Sequence, residues 1–195
     1  MSKQDYRISL VDKQSCESIL MKWHYLKDIS VGFKSGVNYG LFTGDKLCGV
    51  CIYTALPVPE LVKGMYGLER NDQEGFFELS RLCLDNLASW FVSKTIKELR
   101  KTHKVRSILS YADNDHHKGI VYRACNFNYY GLTAKKKDFW VLQGDGSHKK
   151  LSRGKTKGVA GEWRDRSQKH RFVMTFDKTL NMLWELTKIK ELEYE

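Results

Sequence analysis

The sequence has no long apolar run, and this absence excludes proteins that cross a membrane by helices. No stretch of the chain approaches the roughly 18 consecutive apolar residues that a spanning helix needs. Residues 1–6, with the sequence Met-Ser-Lys-Gln-Asp-Tyr, lack the apolar segment of a secretion signal. We therefore expect a protein without a membrane partner.

Cysteine is scarce in a way that excludes a disulfide framework. The five cysteines are odd in number and mostly lie inside apolar runs, which is typical of reduced, buried thiols in a cytoplasmic protein. Cys48 and Cys51 have the spacing of a zinc-binding pair, but no second such pair and no His pair accompanies them. Because they lie within the apolar strand pattern 47–55, we interpret them as core residues.

The chain does contain enough apolar material for one folded domain. Hydrophobic residues make up 42% of the sequence and aromatic residues 12%, and these fractions exclude a disordered chain. A length of 195 residues suits one domain with a full-sized core. We therefore expect residues 1–195 to form a single domain.

Positive charge is concentrated in one segment. The net charge is +10, and residues 135–171 hold 12 Lys and Arg against 4 Asp and Glu, which is +8 of that total. A one-sided basic segment predicts a polyanionic partner, most simply nucleic acid. The alternative is a basic surface loop that contacts only solvent. Residues 143–167 are rich in Gly, Lys and Ser, and they predict a mobile basic loop.

The order of strand and helix patterns predicts a mixed α/β sheet. Apolar positions at helical spacing predict helices at 13–25 and 87–101, and a shorter helix is predicted at 119–125. Strand patterns at 76–84 and 105–111 flank the helix 87–101, so these two strands are expected to be parallel. The other predictions are strands at 6–12, 39–42, 47–54, 129–133, 139–142 and 171–176, a long loop at 56–75 and a terminal helix at about 178–193.

Polar side chains interrupt the central strand pattern, which buried strands rarely tolerate for structure alone. Glu78, Ser80 and Arg81 lie among apolar residues there. If the strand is regular, Glu78 and Ser80 face one side and Arg81 faces the other, because side chains alternate. Arg81 can bind a phosphate or carboxylate with two hydrogen bonds, or it can form a structural pair with Glu78.

A second polar cluster follows the next strand. Asp113 comes at the end of that strand, and His116, His117 and Gly119 come directly after it. Neighbouring parallel strands bring such groups to the same edge of an open α/β sheet, where binding sites form. We therefore expect this cluster to meet the polar residues of 76–84 in one site. The alternative for Asp113 is the cap of a turn or helix.

Short motifs, none specific alone, are spread along the chain. They are Glu78-Leu79-Ser80-Arg81-Leu82, Asn86 with Ser89, Ser110-Tyr111-Ala112-Asp113, His117 with Gly119, Tyr122-x-Ala124-x-Asn126-Phe127, Tyr130 with Thr133, the early pair His24-Tyr25, and the late run Gln168-Lys169-His170-Arg171-Phe172. Together these motifs resemble the bacteriophage Mom family. The resemblance runs from about residue 20 to residue 175, nearly the whole domain.

The resemblance implies a fold, an activity and partners. The Mom family has a GNAT-like (acetyltransferase-type) fold and converts adenine in phage DNA to N6-carbamoylmethyladenine, which protects the DNA from host restriction enzymes. It therefore implies an enzyme that acts on double-stranded DNA in the cytoplasm of the bacterial host. It implies iron in the active site and a small-molecule donor, which is either acetyl-CoA-like or glycine-derived.

The resemblance also implies a set of iron ligands. His24 and Tyr25 are adjacent at the end of the first predicted helix, and Asp113 would join them. Imidazole, phenolate and carboxylate together suit a hard or borderline metal. Without the resemblance, His24 is better interpreted as a helix C-terminal residue stabilised by the helix dipole.

In the implied fold, the helix 87–101 would face the pyrophosphate of an acyl carrier. The free N–H groups and the dipole of a helix N-terminus suit an anion. The chain lacks the Gly-rich turn that usually precedes this helix, and Asp85 would repel phosphate, which counts against the ordinary route of coenzyme A binding. Ser89 can hold an anion or cap the helix. The predicted cofactor-binding residues are Asn86, Leu87, Ala88 and Ser89.

N6 of adenine is paired in the duplex, so the enzyme must flip the base out or act on a locally open strand. The family product is isomeric with a glycyl amide on N6, so we hypothesise a glycyl-type donor and a metal-assisted rearrangement. By analogy with acetyltransferases, Tyr122 would protonate a leaving thiolate. The predicted catalytic residues are Glu78, Ser80, Arg81, Ser89, Asp113, His117 and Tyr122.

Two other functions stay open. The first is a GNAT-type N-acyltransferase acting on protein, RNA or a small amine, against which the missing Gly-rich turn counts. The second is a non-catalytic basic DNA-binding protein, which would not need polar residues at strand ends. The predicted phosphate-contact residues are Lys135, Lys136, Lys137, Arg164, Arg166, Lys169 and Arg171.

Overall fold

Ten strands and four helices form the protein in the computed structural model, which describes residues 5–24 and 33–187. The strands are β1 (Tyr6–Leu10), β2 (Val37–Thr43), β3 (Lys46–Ala55), β4 (Phe76–Leu84), β5 (Ser107–Asp113), β6 (Asn128–Leu132), β7 (Lys136–Leu142), β8 (His148–Leu151), β9 (Glu162–Arg166) and β10 (Lys169–Thr175). The helices are α1 (Lys13–Trp23), α2 (Glu60–Tyr66), α3 (Ala88–Thr102) and α4 (Ile120–Ala124).

Seven strands form the main sheet, in the order β1-β2-β3-β4-β5-β10-β6. Neighbours are antiparallel except β4 and β5, which α3 connects and which run parallel. The predicted mixed sheet with a central parallel strand pair is therefore confirmed, and β4 has the predicted bounds. No helix in the described part of the chain is long and apolar enough to cross a membrane.

Helices cover both faces of the main sheet. Leu79 and Ile108 point towards α3 and α4, in a core that includes Phe172. Other side chains of the same two strands point to the opposite face, where Leu109 of β5 packs with α2 and Cys83 of β4 packs with α1. Burying a large apolar side chain stabilises the fold by roughly 1.5–3 kcal/mol. This two-sided core holds β4 and β5 rigidly at the centre of the sheet.

The parallel pair separates along its length. Its register runs from Phe76 opposite Ser107 to Leu79 opposite Ser110, and no pairing follows on β4 beyond Leu79. The Ser110 hydroxyl donates a 3.0 Å hydrogen bond to the Leu79 carbonyl at the last paired position. The strands then diverge, and the carboxyl end of β4 is open towards the residues that follow β5.

Two segments predicted as loops contain regular structure. The predicted loop 56–75 includes α2, which ends at Gly67 in the left-handed region (φ 70). The predicted mobile loop 143–167 contains β8, a short 3-10 turn at Arg153–Lys155, and β9. These strands flank β7 in a separate antiparallel sheet of order β8-β7-β9, which we call the small sheet. The loop prediction is wrong because cross-strand pairing organises residues whose own strand preference is weak.

The predicted terminal helix at about 178–193 is wrong as far as residue 187, beyond which it lies outside the described residues. Leu180, Met182 and Trp184 alternate in an extended segment that packs over α2 and β6. The Leu183 N–H donates to the Met65 carbonyl at 2.7 Å, and the Thr187 N–H donates to the Tyr129 carbonyl at 3.0 Å. These tertiary hydrogen bonds replace the ones that a helix would make internally.

Candidate active site

A β-bulge at Ser80 shapes the centre of the site. Leu79 lies opposite Tyr53 and Arg81 lies opposite Ile52, so Ser80 is an extra residue on β4. Its hydroxyl donates to the Ile52 carbonyl at 3.2 Å, and the Arg81 guanidinium donates to the Ser80 carbonyl at 2.7 Å. A bulge inserts one residue and reverses the alternation beyond it.

The bulge brings Glu78 and Arg81 to the same face. Glu78 lies two residues after Phe76, and Arg81 lies two residues before Cys83. Phe76 and Cys83 both belong to the core on the α1 and α2 face. The expectation that Glu78 and Arg81 face opposite sides is therefore wrong, because it assumed a regular strand.

Predicted site residues from four elements line one small cavity, which we call the polar pocket. Its volume is about 70 Å³. It lies where β4 and β5 have separated, with the end of α1 on one side and the residues before α4 on the other. Its lining consists of His24, Glu78, Leu79, Ser80, Arg81, Leu82, Tyr111, Asp113, His117, Tyr122 and Lys169. The polar residues of β4 and those that follow β5 thus lie in one pocket, as expected, whereas the motif residues Asn86, Ser89, Tyr130 and Thr133 do not line it.

A larger cavity of about 460 Å³ shares walls with the polar pocket, and we call it the apolar cavity. His24, Leu82, His117 and Tyr122 line both. The remaining lining residues are mostly aliphatic or aromatic. The full set is Trp23, Cys83, Leu84, Ala88, Lys118, Gly119, Ile120 and Val121. The two together offer a polar end and an apolar channel in the opening between β4 and β5.

Glu78 is a half-buried carboxyl of the polar pocket. Burial raises its pKa above the ordinary value, because desolvation disfavours the charged form. The positive charges of Arg81, Lys169 and Lys34 act in the opposite direction. Burial also raises the pKa of Tyr111 to about 12, so its hydroxyl remains a hydrogen-bond donor at neutral pH.

His117 is the histidine of the pocket that is suited to accept a proton. Burial lowers its pKa, although the Asp113 carboxylate opposes that effect and His116 adds to it. A lowered pKa keeps the imidazole neutral near neutral pH. Asp113 accepts a hydrogen bond from the Ser167 hydroxyl, and it also accepts from the Asp115 N–H at 3.2 Å. These bonds fix the carboxylate beside the pocket.

The start of α3 has an unusual backbone. Leu87 occupies the cap position with φ 65, a left-handed conformation that favours glycine, and no side chain caps the helix. The proposed cap role of Ser89 is therefore wrong. Its carbonyl instead accepts a hydrogen bond from the Cys125 thiol at 3.2 Å. The predicted cofactor-binding residues are divided. Ala88 lines the apolar cavity, whereas Asn86 and Leu87 line a separate cavity with Asp85.

The residues present fit the predicted iron only in part. His24 and Asp113 line the same pocket, and Tyr25 lies outside the described residues. Within 5–24 and 33–187, no group of three or more His, Cys, Asp or Glu side chains is placed to hold a metal ion. The described residues therefore do not complete a metal site, and no step below runs through iron.

The structure separates the predicted phosphate-contact residues. Arg164 pairs with Glu162 and Arg166 pairs with Asp138. Lys137 is 3.8 Å from Asp165. Lys169 lines the polar pocket, whereas Lys135 and Lys136 line a cleft of about 310 Å³ beside Asn114 and Asp115. Arg171 is half-buried, with its guanidinium 4.5 Å from the Trp184 ring centre, so it lies away from an exposed basic surface.

Sequence reasoning assigned no site role to Tyr111, Trp23 or Lys34. Tyr111 lines the polar pocket, and it lies two residues before Asp113 on the same strand, so strand alternation already put both on one face. Trp23 lines the apolar cavity directly before His24. The positive charge of Lys34 lowers the pKa of Glu78, although the two residues are far apart in the sequence and no local pattern indicates that they are near each other.

The sequence matches the model of the Mom protein family over residues 5–194. The chain belongs to the Mom protein family. No curated protein sequence gives a significant match.

Solved structures share the fold of this Mom family protein. An agmatine N-acetyltransferase variant has a TM-score of 0.54 at 8% identity, and the match covers 88% of this chain and all (100%) of that one. A GNAT acetyltransferase from Elizabethkingia anophelis, with acetyl-CoA bound, has a TM-score of 0.51 at 10% identity, and the match covers 89% of this chain and 100% of that one. A Bacillus subtilis acetyltransferase in complex with CoA has a TM-score of 0.50 at 16% identity, and the match covers 88% of this chain and 99% of that one. The GNAT-like fold is therefore confirmed.

Proposed function

We propose that this Mom family protein converts adenine in DNA to N6-carbamoylmethyladenine. One observation carries the proposal. Residues from several of the motifs that resemble the family come from separate parts of the chain, and they line one polar pocket at the end of an apolar cavity. A transferase needs this combination, because the donor is held along one cavity while the acceptor amine meets polar groups at its end.

The acceptor enters from the polar end. A volume of about 70 Å³ is too small for a purine, so only the exocyclic amine reaches the polar pocket and the base stays outside it. The base must first leave the DNA stack. Glu78, Arg81 and the Tyr111 hydroxyl then offer hydrogen bonds to the amine and to the transferred group.

Proton transfer can be assigned to this chain's own side chains. When the new bond to N6 forms, the amine loses one proton, and the neutral imidazole of His117 can accept it. The group that leaves the donor takes up one proton, and the Tyr122 hydroxyl can supply it. Arg81 can hold a carbonyl or carboxamide oxygen of the transferred group, because its guanidinium is fixed through the Ser80 carbonyl.

The proposed product gains C2H3NO, so the donor must supply one nitrogen with the two carbons. A glycine-derived donor does so, whereas an acetyl-CoA-like donor would have to carry that nitrogen as well. Glycyl transfer breaks the bond between the glycyl carbonyl and its carrier and first gives the isomeric glycyl amide on N6, which must then rearrange to the carbamoylmethyl product.

A second candidate is a GNAT-type N-acyltransferase acting on protein, RNA or a small amine with a coenzyme A donor. Two structures of the same fold contain CoA or acetyl-CoA. Leu87 also adopts the left-handed backbone that a Gly-rich turn would use, so the missing glycine alone does not prevent a close approach of phosphate.

Mass spectrometry of nucleosides from bacteria that express the chain tests both candidates. DNA adenine should gain a species heavier by one C2H3NO unit. The Glu78→Gln variant should lose this species, whereas Glu74→Gln should keep it, because Glu74 lies outside the pocket in an exposed pair with Lys104. If cells that express soluble wild-type protein contain only unmodified DNA adenine, the first candidate is excluded. Acylated protein, RNA or small amines in those cells would favour the second candidate.

A further inference from the structure

The small sheet is an insertion at the edge of the site. It lies between β6 and β10 in the chain, and only residues 133–135 and 167–168 connect it to them. One connection is tied to the polar pocket, since the Ser167 hydroxyl donates to the Asp113 carboxylate. The sheet therefore has a fixed attachment next to the place where the proposed acceptor enters.

Strand alternation gives this sheet two unlike faces. The odd-numbered face is partly apolar, with Phe139 packed edge-on against Trp163 at 5.2 Å. The even-numbered face is rich in cations. Its side chains include Lys136, Asp138, Trp140, Lys150, Arg164 and Arg166, which pair across the strands in register. Glu162, paired with Arg164, adds the second acidic side chain of that face.

Asp138 joins the three strands of the even-numbered face. Its side chain is only 11% exposed. It accepts from Arg166 Nε of β9 at 2.8 Å and lies 2.6 Å from Lys150 Nζ of β8. The Arg166 hydrogen bond and the Lys150 charge lower the pKa of Asp138 to about 2, so it stays charged. One half-enclosed carboxylate thus holds two cations in fixed positions, while the Arg164 guanidinium stands 5.6 Å from the Trp140 ring centre.

The even-numbered face leads back to the site. Lys136 and Arg166 belong to this face, and both line the cleft beside Asn114 and Asp115, directly after Asp113. Lys135 and Asp165 line the same cleft. A chain of cations therefore runs from the polar pocket, where Lys169 lies, through the cleft and onto β8. On the odd-numbered face, the exposed cations Lys137 and Lys149 share no such cleft and alternate with apolar residues.

We infer that the even-numbered face of the small sheet is the docking face for the phosphate backbone of duplex DNA beside the target adenine. The inference rests on the proposed function, because it assigns the DNA partner of that site. Ordered cations bind phosphate with less loss of side-chain entropy, and phosphate contacts set the position of a protein on a duplex. Asp138 is a positioning residue for this face.

Two variants with the same charge change test the face. Lys136→Gln with Lys150→Gln removes two cations from the even-numbered face, and Lys137→Gln with Lys149→Gln removes two from the odd-numbered face. Binding to a random-sequence DNA duplex is measured by fluorescence anisotropy over a range of salt. The even-face variant should reduce the slope of log K against log salt by about 0.9 for each lost phosphate contact. The odd-face variant should leave the slope nearly unchanged. Equal losses for both variants, or no loss for either, would overturn the inference.

The Asp138→Asn variant distinguishes the effect of fixed cation positions on DNA binding from the effect of net charge. Removing a negative charge should strengthen DNA binding if only the overall charge matters. If Asp138 positions Lys150 and Arg166, the same change should weaken binding. Asp45→Asn, at an exposed position in the turn between β2 and β3 and outside the small sheet, is the control with an equal charge change, and circular dichroism verifies that each variant retains its fold. Tighter binding by Asp138→Asn would contradict the positioning role.

The two proposals fail in different ways. If wild-type protein modifies DNA adenine but the even-face variant binds DNA normally, the docking face is wrong and the proposed function stands. If the even-face variant loses binding but wild-type DNA contains no modified adenine, the docking face stands and the proposed function is wrong. Tighter binding of duplex RNA than of duplex DNA by the wild-type protein would overturn the choice of partner.

Discussion

Glu78 and Arg81 are three residues apart on β4, yet both side chains line the polar pocket. The extra residue Ser80 makes this possible, and the Arg81 guanidinium is bonded to the Ser80 carbonyl at 2.7 Å. Without the bulge, one of the two charged groups would point into the core beneath α3. The arrangement puts a carboxyl and a guanidinium within one small cavity while the rest of β4 remains apolar.

Glu78→Gln should change stability in a pH-dependent way. Burial raises the folded-state pKa above the ordinary 4.5, so the folded state binds more protons than the unfolded state in that range. Wild-type stability therefore falls as pH rises from the ordinary value through the folded-state pKa. The glutamine variant does not titrate, so its free energy of unfolding should exceed that of the wild type at neutral pH, and the gap should close in acid. Urea unfolding at several pH values measures this, and a gap that widens in acid would contradict it.

Ser80→Ala should destabilise the bulge modestly. The variant loses the hydrogen bond from the hydroxyl to the Ile52 carbonyl. A hydrogen bond of this kind contributes about 1 kcal/mol to the free energy of unfolding. Chemical denaturation of the variant checks the value, with Ser152→Ala at an exposed position as a control. A change no larger than that of the control would mean that the hydroxyl does not hold the bulge.

Gly119→Ala should be strongly destabilising. Gly119 has φ +68, and an added Cβ would overlap the buried ring of Phe172. The backbone conformation alone costs about 1–3 kcal/mol for a residue other than glycine, and the overlap adds to it. Gly144→Ala is the matched control, because nothing lies within 4 Å of a Cβ there. Thermal melts compare the two, and combining Gly119→Ala with Phe172→Leu should recover part of the loss.

Iron binding should depend on His24 and Asp113. The two line one pocket, and Tyr25 would supply the third ligand that the described residues lack. Wild-type protein reconstituted with ferrous iron without oxygen should retain the metal through gel filtration. The His24→Ala and Asp113→Ala double variant should lose it while its circular dichroism spectrum shows that the fold persists. Elemental analysis that finds no iron in reconstituted wild-type protein would reject this prediction.

The sequence by itself determined the centre of the fold. Strand alternation and helical spacing predicted β4 at 76–84 and α3 near 87–101, and the helix between β4 and β5 required them to be parallel. It also determined that polar residues at the ends of these strands would meet, because parallel neighbours present the same end. These features depend on short-range periodicity and chain connectivity, both of which are written in the sequence.

Only the tertiary structure decided which side chains share a face and how the basic segment folds. The bulge at Ser80 is a property of the pairing between β3 and β4, so β4 alone could not reveal it. The small sheet depends on ionic and cross-strand partners such as Asp138 and Arg166, which lie far apart in the sequence. The segment 178–187 is not helical, and the carbonyls of Met65 and Tyr129 accept two of its backbone hydrogen bonds. In each case the hydrogen-bonding or ionic partner lies far away in the sequence, so a local sequence pattern could not identify it.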